Sequence, residues 1–89
     1  MTGAELKYIR HHLGLSTTQL GRAFGYVGSD VSVSGTIRKY ESEQRALPPW
    51  LARLVIMYKN HGVPAGWEKL QMPTMNEIDI ANRKDDEHE

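Results

Sequence analysis

Two Ser/Thr-x-x-Glu/Gln pairs, each followed by a short apolar pattern and a glycine, constrain this chain more than any other feature. Thr2 with Glu5, and Ser16 with Gln19, have capping-box spacing. In such a box the hydroxyl accepts from one orphan amide of a helix N-terminus and the longer side chain returns to another. Behind the first pair Leu6, Ile9 and Leu13 recur at helical spacing, and Gly14 stands where a left-handed stop is wanted. Behind the second, Leu20, Ala23 and Phe24 supply an apolar face, Leu15 and Leu20 have the spacing of a hydrophobic staple, and Gly25 closes the segment. The pattern predicts two short helices around a turn.

Downstream, residues 25–35 are rich in glycine, serine and valine without a long apolar period, and read as a loop. A third helix is predicted from about residue 34 to residue 42, with Ile37 and Tyr40 inward. Pro48-Pro49 then opens a fourth helix, since proline is tolerated in a first turn, and Leu51, Leu54, Val55 and Tyr58 share one of its faces up to about Asn60. Gly62 and Pro64 stop it, and residues 65–70 are a candidate fifth helix. Beyond Met72 the signals conflict: Thr74 and Glu77 repeat the capping-box spacing, whereas Ile78-Asp79-Ile80 alternates like a strand. From Asn82 the composition is that of a disordered tail.

The length of 89 residues suits one domain, here residues 1–70, with residues 71–89 as a C-terminal extension. Without cysteine the chain has no disulfide framework and no thiolate zinc site. His11 and His12 are adjacent on a helix and diverge by about 100°, which is unsuited to chelation. No nucleophile–base–acid set and no phosphate-cradling glycine loop is visible, so neither catalysis, a metal nor a cofactor is expected. No apolar run approaches the roughly 20 residues that span a bilayer, and no signal-peptide pattern is seen, so the expectation is a cytoplasmic protein without a membrane partner. The zero net charge conceals an asymmetry: nine Lys/Arg against five Asp/Glu through Leu70, then two against six. A basic body with an acidic tail suits a nucleic-acid binder, although a solvated surface with a polar tail has the same composition.

The run LKYIRHHLGLSTTQLGRAFG, followed by TIRKYESEQRALP, resembles the helix-turn-helix of the phage Cro and repressor family, the xenobiotic-response-element class, over about residues 5–59. The resemblance implies an all-α, lambda-repressor-like domain of four or five helices whose third helix lies in the DNA major groove. It implies base reading by Ser34, Gly35, Arg38 and Lys39, of which Arg and Lys can donate to guanine O6 and N7. Phosphate contacts fall to Ser16 and Thr17 at a helix N-terminus, where unpaired amides attract an anion, and to Gln44 and Arg45 in the turn after the third helix. It also implies a partly buried ion pair between Arg10 and Glu41, and a close helix crossing at Gly21. Read without the resemblance, the same residues are a capped helix, a solvated basic face and two surface charges. The chain departs from the family pattern in joining the two motif helices by roughly ten residues rather than about four.

The functional expectation is a sequence-specific repressor or autoregulator, similar to phage regulators, antitoxins and the regulators that accompany anti-CRISPR genes. It would bind an inverted-repeat operator as a homodimer, with no small-molecule ligand and with Trp67, Leu70, Ile78 and Ile80 as interface candidates. The rival is a helix-turn-helix scaffold that binds another protein, for which the long loop is the best support.

Overall fold

The computed structural model describes residues 1–69, which form four helices: α1 (Gly3–His12), α2 (Thr17–Ala23), α3 (Asp30–Glu41) and α4 (Pro49–His61). There is no strand among the described residues, and none of their helices is long and apolar enough to cross a membrane. Both capping boxes close reciprocally. Thr2 Oγ1 accepts from the Glu5 amide at 3.1 Å and the Glu5 carboxylate accepts from the Thr2 amide at 2.9 Å. The Ser16 and Gln19 pair makes the same two bonds at 3.0 and 2.9 Å. Gly14 and Gly25, at φ 71° and 96°, turn the chain out of α1 and α2 in the left-handed region that glycine enters without strain.

The third helix begins earlier than the sequence pattern predicts. Ser29 is its N-cap, accepting from the Ser32 amide at 3.1 Å, and Asp30 lies in its first turn. Two competing signals explain the difference. Serines and β-branched valines are weak helix formers, which favours a loop reading. Val33, Ile37 and Tyr40, however, sit at i, i+4 and i+7 and are all buried, so packing overrides propensity. The connection from α2 to α3 is therefore residues 24–29, not a ten-residue loop.

That connection is held from inside. Arg22 is buried at the end of α2, and its guanidinium donates to the carbonyls of Tyr26 at 3.2 Å and Gly28 at 2.8 Å, and to the Asp30 carboxylate at 2.8 Å. The Tyr26 and Tyr40 hydroxyls share a 2.7 Å hydrogen bond that ties the turn to the far end of α3. Loss of water around Tyr26 and its bond to Tyr40 push its phenol up to about 12.

The core lies where the four helices converge, around Leu6, Leu20, Ile37, Leu51 and Val55, all fully buried. Each such side chain contributes about 1.5–3 kcal/mol relative to exposure. Tyr58 of α4 stacks near Phe24 and donates its hydroxyl to the Ala23 carbonyl, closing α4 onto the end of α2. Gly21 sets the α2–α3 crossing: a Cβ there would stand 2.2 Å from Val33 Cγ1. Gly3 allows the start of α1 to rest on the end of α3, where a Cβ would meet the Glu41 carbonyl oxygen at 2.1 Å.

After α4 the chain makes turns rather than the expected fifth helix. The Trp67 amide bonds Pro64 O, and the Lys69 amide bonds Gly66 O, each at 3.1 Å. Gly66 has φ 85°, a conformation that interrupts helical continuation. Trp67 packs edge-on against Tyr58, with ring centroids 6.4 Å apart.

Candidate nucleic-acid interface

Helix α3 has two unlike faces. Val33, Ser34, Ile37 and Tyr40 are buried against the neighbouring helices. Val31, Ser32, Arg38, Lys39 and Ser42 line the other side, with half-buried Gly35 between them. Val31, Gly35 and Lys39 are spaced i, i+4 and i+8, and Arg38 and Ser42 flank that line. The face is thus apolar and small at its N-terminal half and cationic at its C-terminal half.

The inner face is fixed by polar contacts as well as packing. Arg10 of α1 grips Glu41 with a two-pronged ion pair, Nε to Oε2 at 2.6 Å and Nη2 to Oε1 at 3.1 Å. Both side chains are about nine-tenths buried, and Arg10 Nη1 also donates to the Leu15 carbonyl at 3.1 Å. One guanidinium therefore joins α1, the start of the α2 cap and the end of α3. Removing either partner would strand a charge, at a cost of about 3–5 kcal/mol.

The base-reading candidates of the resemblance separate in space. Gly35, Arg38 and Lys39 lie on or beside the open face. Ser34 does not: it is buried, and its hydroxyl shares a 2.6 Å hydrogen bond with Thr17 Oγ1. This is a correction to its expected role, and its cause is the earlier start of α3, which turns Ser34 toward the first turn of α2. The exposed positions one turn before Gly35 are Val31 and Ser32.

Among the phosphate candidates, Ser16 is exposed but its hydroxyl oxygen already accepts from the Gln19 amide. Thr17 is half-buried and engaged with Ser34. Gln44 and Arg45 are exposed. The chain reaches them by folding back over the end of α3, with Glu43 at φ 63° and the Arg45 amide donating to the Lys39 carbonyl at 3.2 Å. Arg45 thus joins Arg38 and Lys39 at the same end of α3. Of the interface candidates, Trp67 is about half exposed beside Tyr58, while Leu70, Ile78 and Ile80 lie outside the described residues.

Two participants are not legible in the sequence pattern. Arg22 spans eight residues to Asp30 through an irregular turn, and no local spacing rule signals such a bond. Val31 falls in the segment whose composition reads as a loop; the Ser29-Asp30 pair, a good N-cap and first-turn combination, is the signal that places it on a helix. Among the described residues no three histidine, aspartate or glutamate side chains gather as a metal site. The groove between Ala4, Tyr8, Ile9 and Lys59 has a volume of about 280 Å³ and is shallow. Comparison with protein-family models, curated proteins and solved structures gives no match.

Proposed function

We propose that the chain is a sequence-specific duplex-DNA-binding regulator of transcription of the helix-turn-helix type, with α2 and α3 as the two motif helices and α3 in the major groove. The observation that carries this reading is the division of α3: an inner face locked by Gly21, Thr17 and Arg10, and an outer face that offers Arg38 and Lys39 without a side chain at Gly35. A rigid helix that projects a small, cationic face suits close approach to a duplex. Arg38 and Lys39 read base edges, and Arg45 and Gln44 hold the phosphate backbone beside them. Ser34 acts through Thr17, fixing the angle between the two helices. Two copies acting on an inverted repeat as a repressor or autoregulator complete the proposal.

A protein-docking role is the rival, supported by Trp50, Ile56 and Met57, which are 59%, 46% and 52% exposed on α4. The two readings part on salt. Anisotropy titrations of random-sequence duplex DNA across a salt series should show log K falling with log salt, with a slope of about −0.9 for each phosphate neutralised. Absence of duplex binding at low salt contradicts the DNA reading. Selection from random duplexes should then return a palindromic consensus.

A further inference from the structure

We propose that Val31, beside the bare backbone of Gly35 on the outer face of α3, packs against the 5-methyl group of a pyrimidine, which makes Val31 a specificity-determining residue. The inference rests on the duplex-DNA reading above. Val31 is 83% exposed, more than any other large apolar side chain among the described residues. It contributes nothing to the core, and a β-branched residue is a poor choice for an exposed helix position. Gly35 is one turn further along the same line, and a Cβ there would meet nothing within 4 Å. Neither residue is required by the fold, and together they present an isopropyl group beside a stretch of helix surface with no side chain.

The polar side chains near Val31 each have one partner within the chain. The Ser32 hydroxyl accepts from Ser29 Oγ at 3.0 Å, the Thr36 hydroxyl donates to the Ser32 carbonyl at 3.1 Å, and the Asp30 carboxylate is held by Arg22. Val31 is the large exposed apolar side chain of this half of α3, and it can make only apolar contact. The major-groove feature that matches is the C5-methyl group, which thymine carries and cytosine acquires on methylation. Lys39, two turns along the line, and neighbouring Arg38 would engage the adjacent base pairs and hold Val31 against the groove.

The test uses the full chain and a duplex that it selects from random sequence. Each thymine is replaced in turn by uracil, which removes only the methyl group, and each cytosine in turn by 5-methylcytosine. We expect one position per half-site at which the methyl group strengthens binding about fourfold, the worth of one methyl taken out of water. The thymine arm and the cytosine arm identify which base supplies it. In Val31→Ala this methyl dependence should vanish while binding to random-sequence duplex and the thermal melt stay at wild-type values. Val31→Thr, which keeps one γ-methyl, should retain part of it. Indifference to the methyl group at every position, or an equal dependence in Val31→Ala, overturns the inference and leaves DNA binding standing. Failure of the wild-type chain to bind any duplex at low salt overturns both.

Discussion

Gly21 and Gly35 are both interior helical glycines, one on each of two packed helices, and they serve opposite ends. At Gly21 a single added carbon would collide with Val33, so the residue is dictated by the α2–α3 crossing. At Gly35 the same carbon would meet open space, so nothing inside the described residues explains it. A helix-interior glycine costs about 1 kcal/mol relative to alanine. The chain bears that cost once for its own packing and once on a face that packs against nothing of its own. The contrast separates the part of α3 that builds the fold from the part that the DNA-binding proposal assigns to a partner, and substitutions on either side can break or sharpen it.

The largest effect belongs to the inner side. Arg10→Ala removes one half of a nearly buried ion pair and leaves the Glu41 carboxylate, itself about nine-tenths buried, without its partner. Destabilisation by about 3–5 kcal/mol is expected in chemical denaturation, with α1 and α3 losing their shared anchor. A destabilisation below about 1 kcal/mol would mean that the pair behaves as an exposed one and that the end of α3 is held by packing alone.

Gly21→Ala should come next. The new methyl group gains helix propensity but must push apart two helices whose facing residue, Val33, is stiff and buried. A net destabilisation of about 1–3 kcal/mol is expected, as for other overpacked sites. Duplex binding per folded molecule should also weaken, because α3 would be displaced relative to α2. A variant as stable as wild type would show that the crossing can relax, and the distinction between the two glycines would narrow.

Gly35→Ala should act in the opposite direction on stability. With no steric conflict and one less flexible residue in the unfolded chain, it should stabilise the fold by about 0.5–1 kcal/mol. Affinity for a selected duplex should fall at the same time, because the added carbon fills the close approach. A change that raises the melting temperature and leaves affinity untouched would remove Gly35 from the interface.

What is legible in the sequence depends on where the determining forces lie. The starts of α1 and α2 are readable because their capping boxes are local: donor and acceptor are three residues apart. The approximate span of α4 is readable from Pro48-Pro49 and Gly62 for the same reason. The start of α3 is harder to read: Ser29 and Asp30 signal it locally, but the weak helix propensity of the segment opposes them, and the balance is tipped by Val33 packing into the space left by Gly21, a contact between residues distant in sequence. The inward turn of Ser34 follows from that start and makes it a partner of Thr17 rather than a readout residue. The cationic positions of α3 are legible, since Arg38 and Lys39 fall away from Ile37 and Tyr40 under any helical register. The charge asymmetry between the body and the tail concerns residues 71–89, which lie outside the described region.

If the outer face of α3 binds duplex DNA while its inner face only builds the fold, the two functions should separate in one double variant. Arg38→Ala, Lys39→Ala is titrated with a selected duplex beside thermal melts of the same samples. Neither side chain makes an ion pair among the described residues, so stability should change by no more than about 0.5 kcal/mol. Binding should weaken by about 1–3 kcal/mol for each base edge that is no longer read, and the salt slope should become shallower. Wild-type affinity and an unchanged salt slope in a folded double variant would refute that division of α3.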